Sequence, residues 1–311
     1  MGLSKSLKRI FKKDKGSWLD HKNITQEYGL KLYTAFEPIS QVRTFKCNPH
    51  ARTSIHTVTG HYHLFMYIAA LKSLLRFYDD VAIVAHDGDG TLTDSDKSIL
   101  QHHIGGITII DRNIADKQME GILRPFPNCR RYRLRILNSL ELLDNGLLAT
   151  TDRIITMNSD VLFLKKPEEL IQWLVSGNNE IIFVHEDTPC TQKEFLEEIG
   201  CDFPPHVTLA LVCFYKEIID LELIENVLKK SKFARTHLWT LGQCIYPVLL
   251  RNKSEKYKIH SFDKEKWAAS GHFREGDIFR HYCSSTTLLA ETHFSDFAKI
   301  SGELAQDTTV D

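Results

Sequence analysis

Two short acidic clusters hold most of the chemistry open to this sequence. Asp87-Gly88-Asp89-Gly90-Thr91 follows the apolar run VAIVA, and Asn158-Ser159-Asp160 follows the run RIITM. A carboxylate at the end of a buried strand lies on the rim of a sheet, where it can hold a divalent cation, Mn2+ or Mg2+, or exchange protons with a ligand. The ordinary alternative is a glycine-rich turn whose aspartates accept turn amides. His61-x-His63 and His102-His103 have the spacing of ligand pairs, but no third partner stands near them in the sequence, so they read as surface or core histidines.

Strands and helices must alternate to bring those clusters together. Ser54–Thr59, Val81–Ala85, Ile107–Ile110, Arg153–Met157, Ile181–Val184, Thr208–Tyr215 and Lys258–Phe262 read as strands. Leu64–Tyr78 is apolar nearly all round and reads as a buried helix. Thr93-Asp94-Ser95-Asp96 resembles a capping box opening the next helix. Arg131–Leu143, with leucines at 134, 137 and 140, reads as one helix, and Pro167-Glu168-Glu169 opens another. Further helices are expected over Thr191–Ile199, Ile219–Lys229 and Leu238–Leu250. The alternation implies an α/β fold with a mostly parallel sheet, whose ligands bind at the carboxyl ends of the strands.

Composition narrows the classes. The chain has 311 residues, 42% of them apolar and 25% charged, which is globular and excludes a mainly disordered protein. Lys and Arg number 39 against 40 Asp and Glu, so no basic excess is available to hold a nucleic-acid backbone. The longest apolar run, Leu64–Leu71, is too short to span a bilayer. No apolar stretch follows the first basic residues, so a secretory signal is not expected. Seven cysteines, an odd number without a C-x-x-C pair, point to reduced thiols and a cytoplasmic protein. Residues 1–15 carry six basic side chains against Asp14, with Leu3, Leu7, Ile10 and Phe11 on one helical face. Such a segment is either a solvated tail or a peripheral contact with an anionic membrane surface. Met1-Gly2 with Ser6 also fits a myristoylation pattern. The organisation expected is a basic N-terminal segment and lead-in over 1–50, one large domain over 51–290, and a tail over 291–311.

Two families share these motifs. VAIVAHDGDGTLTDS resembles the first motif of the haloacid-dehalogenase phosphatases, which would make Asp87 a phosphoryl-accepting nucleophile and Asp89 a general acid/base beside Mg2+. In those enzymes the motif opens the domain, and here a strand and a long buried helix precede it. A later acidic pair is represented only by Gly276-Asp277. RIITMNSDVLF, in contrast, resembles the strand and D-x-D segment of GT-A glycosyltransferases. Ala70–Leu74 then resembles the end of their first helix, His86–Leu92 the H-D-D-G-[ST]-L element, and Tyr132-Arg133-Leu134 the Y-x-R-L segment of family-8-like enzymes. Leu238–Gln243 is similar to the acceptor-side W-x-E-Q element, and His281-Tyr282 to a late H-Y that supplies a metal ligand. The ordered resemblance covers about residues 52–290.

The second resemblance implies a GT-A, Rossmann-like three-layer fold and transfer of a sugar from a nucleotide-diphosphate sugar donor to an unknown glycan, lipid or protein acceptor. It implies Asp160 as principal metal ligand, with Asn158 and His281 secondary. Arg133 and Arg135 would face the donor, Thr59 and Gly60 would approach the nucleotide, and Asp87 and Asp89 would line the same crevice. Trp239 and Gln243 would meet the acceptor, and Asp187, in His185-Glu186-Asp187, offers a base to an inverting enzyme. The family-8 likeness leans toward retention. The chain departs from the pattern at Asn158, where the family has Asp, at Thr208-Leu209-Ala210 in place of N-x-G, at Gly242 in place of Glu, and in lacking K-P-W. Asn158 also motivates a third reading, an inactive nucleotide-sugar binding protein.

Overall fold

The computed structural model describes residues 29–185, 190–204, 206–232, 241–269, 271, 273–283 and 287–306. In chain order the elements are α1 (residues 29–36), β1 (Phe45–Lys46), β2 (Thr53–Thr59), α2 (Leu64–Leu75), β3 (Ala82–Asp87) and α3 (Asp94–His103). Next come β4 (Ile104–Gly105), β5 (Thr108–Ile110), α4 (Arg112–Ile122), α5 (Pro127–Arg135), α6 (Ser139–Leu147), β6 (Arg153–Met157) and β7 (Val161–Phe163). The remainder is α7 (Glu168–Val175), β8 (Glu180–His185), α8 (Cys190–Ile199), β9 (Val207–Tyr215), α9 (Leu221–Lys230), α10 (Leu241–Asn252), β10 (Lys258–Ser261), β11 (Trp267–Ala268), β12 (Phe279–His281) and α11 (Thr287–Gln306).

A seven-stranded sheet in the order β10-β8-β9-β6-β2-β3-β5 forms the middle layer. β9 runs antiparallel to both its neighbours, and every other adjacent pair in this sheet is parallel. Its central strands are buried on both faces because both faces are covered. Ile155, Ile182 and Leu211 pack into one core with α1, α2, α7 and α11, while Ile154, Phe183 and Val212 pack into the other with α5, α6, α9 and α10. α2 buries all twelve of its residues, Lys72 and Ser73 among them, in keeping with a sequence that is apolar nearly all round. Thr93 caps α3 in a reciprocal capping box with Asp96. Among the described residues no helix is long and apolar enough to cross a membrane.

Four features differ from expectation. The helix expected over Arg131–Leu143 is two helices, because Ile136 is extended (φ −127°, ψ 120°) and breaks the chain between α5 and α6. Leu134 and Leu137 are 36% and 37% exposed, so the leucine spacing marks no core stripe; Leu140 alone of the three is buried. Residues expected as lead-in and tail belong to the main core, through Leu32, Phe36, Ile39, Val42 and Phe45 at one end and Phe297, Ile300 and Leu304 at the other. Lys258–Ser261 is not the last strand: β11 and β12 follow it and join β7 in a separate three-stranded sheet. Strands of two or three residues are too short to show a period.

Lys72 is the buried charge that fastens the incoming chain. Its Nζ donates to the carbonyls of Val42 (2.7 Å) and Arg43 (2.8 Å) and lies 3.1 Å from His103 Nδ1, with the Phe45 ring 5.8 Å away. Burial pushes the Lys72 ammonium down from 10.5 to about 7 and, with Lys72 second, the His103 imidazole to about 4, so His103 accepts as a neutral ring. Between pH 7 and 10.5 the unfolded chain therefore binds more protons at Lys72 than the folded one, and this residue's contribution to stability rises with pH. The stability of the wild type minus that of Lys72→Met, from guanidinium unfolding at several pH values, is expected to increase from about pH 7 to about pH 9.5. A flat or falling difference would contradict the depressed lysine.

Candidate functional site

β6, β2 and β3 are adjacent and parallel, so their carboxyl ends open on one edge of the sheet. Thr59 is the register partner of Asp87, and Gly88 N donates to Thr59 O at 2.9 Å. The turn beyond is close-packed. A Cβ on Gly60 would stand 2.6 Å from Asp89 Oδ1, and one on Gly88 would stand 2.3 Å from Val58 Cγ1, so neither position has room for a side chain. Asp89 Oδ1 accepts from Thr91 N (3.2 Å) and Thr91 Oγ1 (2.6 Å), and Thr91 Oγ1 accepts from His61 N (2.9 Å). Asp87 Oδ1 accepts from Leu92 N at 3.3 Å; burial raises its carboxyl pKa, and that amide opposes the rise. His61 Nδ1 lies 2.9 Å from Asp96 Oδ2, which ties the turn after β2 to α3.

The second cluster lies where the two sheets meet. Asn158 N donates to Ala210 O at 3.1 Å, and Tyr282 N donates to Asp160 O at 3.0 Å. β12 runs antiparallel to β7 with His281 opposite Val161, which delivers His281 beside the tripeptide. His281 Nε2 is 3.4 Å from Asp160 Oδ1 and 3.4 Å from Asn158 Nδ2. Burial, the strongest influence on His281, disfavours its charge, but Cys283 and Asp160 outweigh it and hold the imidazole well above its ordinary value. Cys283 Sγ is 3.6 Å from His281 Nδ1, and Cys283 is the one non-glycine with positive φ (42°) among the described residues. Such backbone strain is more often found at functional sites than elsewhere.

These side chains suit a divalent cation. Asp160 supplies an anionic oxygen and His281 a nitrogen, and rotating the Asn158 amide about its last torsion would present its oxygen to the same point. Among the described residues no group of three or more His, Cys, Asp or Glu is arranged to hold a metal, and the Asn158 amide stands beside the Asp160 and His281 pair.

Three further groups border this cluster, of which Glu141 and His293 do not stand out in the sequence and His63 reads there as a surface or core histidine. Burial, followed by the Asp160 charge and opposed by His281, raises the Glu141 carboxyl to about 8. His63 senses both Asp160 and Asp89, although burial dominates and lowers its pKa. His293 stacks on Tyr282 with ring centroids 3.9 Å apart, and burial lowers it to about 3. Glu141 sits in a stretch that reads as plain amphipathic helix, and its burial depends on packing that no local pattern encodes.

Arg133 does not face an open donor site. It is 4% exposed; its Nε and Nη2 bind the two Asp144 oxygens at 2.7 and 2.6 Å, and its Nη1 binds Asp116 at 2.7 Å. Asp116 also holds Arg112, whose Nη1 donates to Gly88 O, so this lattice braces the turn after β3. Arg135 is exposed at the end of α5, and Gln243 is half-buried in the first turn of α10. Asp187 and Trp239 lie outside the described residues. Asp277, the late acid of the phosphatase reading, is fully buried and accepts from Arg274 N (2.7 Å) and Arg280 Nε (2.8 Å), which is a structural role.

The sequence matches no protein-family model, and no curated protein matches it. Its fold is similar to that of mouse xyloside xylosyltransferase 1 in apo form, with a TM-score of 0.51, 15% identity, and 76% of this chain against 99% of that one. It is also similar to the galactosyltransferase LgtC solved with donor and acceptor sugar analogues, with a TM-score of 0.53, 13% identity, and 80% of this chain against 95% of that one. At such identities the likeness establishes the fold, which is the GT-A α/β architecture expected from the sequence.

The ion-pair lattice has a measurable consequence. Removing one partner of a buried pair strands the other charge, at a cost of about 3–5 kcal/mol. Arg133→Met is expected to lose that much in urea unfolding, and Asp144→Asn a comparable amount. A change below about 1 kcal/mol in both would mean that the pair contributes little and that Arg133 is available for another role.

Proposed function

We propose that this chain is a glycosyltransferase that moves a sugar from a nucleotide-diphosphate sugar to an acceptor with the help of Mn2+ or Mg2+. One observation carries the reading: Asn158, Asp160 and His281 converge, 3.4 Å apart through the histidine, at the carboxyl edge of a GT-A sheet. When bound, a divalent cation held by Asp160 with Asn158 and His281 would supply positive charge to offset the negative charge growing on the departing nucleoside diphosphate. Asp160 would be its principal anchor. Asn158 contributes a neutral oxygen where the family has a carboxylate, so the site carries one negative charge fewer and binds metal more weakly.

The remaining residues take supporting roles. The close-packed turns at Thr59, Gly60 and Gly88 would let the nucleotide approach the backbone, with Asp87 and Asp89 shaping that wall. Exposed Arg135 would meet the donor's phosphates, and Gln243 with Trp239 the acceptor. Asp187 serves as base if the reaction inverts configuration; the family-8 resemblance favours retention, in which the leaving phosphate can take the acceptor's proton. The acceptor is a glycan, lipid or protein. Residues 1–15 would supply any peripheral membrane contact of a cytoplasmic enzyme.

Asn158 favours one second reading, a protein that binds nucleotide sugars without turning them over. The phosphatase reading is not favoured, since turn donors hold Asp87 and Asp89, and Asp277 is locked by arginines. A panel of nucleotide sugars assayed for hydrolysis and transfer with Mn2+ and Mg2+, beside p-nitrophenyl phosphate, separates the three. Asp160→Ala is expected to lower metal-stimulated turnover by on the order of 100-fold or more with the fold intact. Asn158→Asp is expected to tighten metal binding while keeping or raising turnover. Full activity in Asp160→Ala would end the metal assignment. Phosphate-ester hydrolysis by the wild type, lost in Asp87→Asn, would favour the phosphatase.

A further inference from the structure

The stretch that contains α5 is basic out of proportion to a chain whose net charge is −1. From Gly121 to Leu140 there are five arginines, at 124, 130, 131, 133 and 135, and no aspartate or glutamate. Arg133 is the buried member and is held by Asp144 and Asp116. Arg124, Arg130, Arg131 and Arg135 are exposed. Two further acids reach this stretch from other helices. Glu120 on α4 lies 3.2 Å from Arg130, with both side chains more than half exposed, and such a pair contributes little in water. Glu225 on α9 accepts from Asn128 N (3.0 Å) and Cys129 N (2.9 Å), so it caps the start of α5 and is directed at backbone amides.

Arg130, Arg131, Leu134 and Arg135 share the outer face of α5, because residues three and four apart lie together on a helix and Cys129, Tyr132 and Arg133 take the buried side. Leu134 is thus exposed among arginines. Leu137, exposed to the same extent, follows the break at Ile136, and its Cδ1 would stand 3.3 Å from a Cβ on Gly88. The basic face therefore runs up to the turn after β3, at the carboxyl edge of the sheet.

A merely solvated helix face ordinarily mixes acids with bases, and an exposed leucine stabilises nothing there. Arginines with leucines among them match an anionic bilayer, where guanidinium groups pair with headgroup phosphates and aliphatic side chains enter the acyl boundary. A nucleic acid or an acidic glycan matches the arginines and leaves the leucines unused. Residues 1–15 repeat the composition in sequence, with six basic side chains beside Leu3, Leu7, Ile10 and Phe11, and stable membrane attachment generally takes two signals.

We propose that the outer face of α5, formed by Arg130, Arg131 and Leu134 with Leu137 beyond them, is a docking surface for a membrane rich in anionic lipid. The inference is independent of the reaction proposed above. It sets the turn at Gly88, and the edge of the sheet with it, beside the bilayer.

Sedimentation of the full chain with vesicles of phosphatidylcholine alone, or with about one third phosphatidylglycerol, tests the surface. The wild type is expected to bind the anionic vesicles about tenfold or more tightly than the neutral ones, and to lose most of that preference when salt is raised from about 0.1 to about 0.5 M. Arg131→Glu should weaken binding to anionic vesicles about tenfold. Leu134→Gln should weaken it about threefold or more while leaving retention on heparin, a polyanion without a bilayer, unchanged. Both side chains are exposed, so both variants should unfold at the wild-type urea midpoint. Replacing Lys5, Lys8, Arg9, Lys12, Lys13 and Lys15 together by Gln should leave the loss caused by Arg131→Glu in place. The proposal is overturned if the wild type does not prefer anionic vesicles, if both folded variants bind them as the wild type does, or if only the replacements within residues 1–15 reduce binding. It is also overturned if Arg131→Glu weakens heparin and vesicle binding alike while Leu134→Gln changes neither, which would make the face a site for a soluble polyanion.

Discussion

The antiparallel pairing of β12 with β7 is the constraint on which the candidate site depends. β7 leaves the central sheet directly after Asp160, and the return of β12 sets His281 opposite Val161 and ties Tyr282 N to Asp160 O. Asn158 and His281, 123 residues apart in the chain, thereby come within 3.4 Å. The aromatic packing behind this small sheet keeps the pairing in register. Trp267 stacks on Phe262 at 3.8 Å and on Phe279 at 5.2 Å, and Phe163 meets Phe279 edge-on. A slip of one residue would turn His281 to the other face and empty the cluster of its imidazole.

Beneath that cluster lies a layer of buried polar groups that must be satisfied internally. His56 Nδ1 and His86 Nε2 are 2.9 Å apart across β2 and β3, Ser54 Oγ lies 2.8 Å from His56 Nε2, and Asn145 Nδ2 donates to Thr156 Oγ1 and His56 O. Burial drives His86 down to about 3 and His56 well below its ordinary value, so both rings are neutral and share hydrogen bonds without sharing charge. Arg133 fixes the neighbouring side of the site through Asp144 and Asp116, and Lys72 fixes the entry of the chain through Val42 and Arg43. These buried charges act as rigid links between elements. They fix where the strand-end turns stand.

Residue type alone does not separate scaffold from site. Asp277 and Arg280 resemble functional residues in type, yet Asp277 Oδ2 holds Arg274 N and Arg280 Nε, and Arg280 also binds Asp296. Glu141 resembles an ordinary helix residue, yet the charges of Asp160 and His281 act on it.

The sequence by itself determined the layer architecture and the place of Asp160 in it. Short strand-like runs alternating with longer helical segments imply a covered, mostly parallel sheet, and RIITM ending at Asn158-Ser159-Asp160 places Asp160 on its rim. A likeness in motif order placed His281 near that acid, which periodicity could not, because β7 and β12 have three residues each. Tertiary structure alone decided that Arg133 is a buried brace, that one expected helix is two, and that the lead-in and tail belong to the core. It also decided that Glu141 borders the site. The physical reason is the same in each case: hydrophobic period is set by neighbours along the chain, whereas the partner of a buried charge and the burial of a polar group are set by residues that only folding brings together.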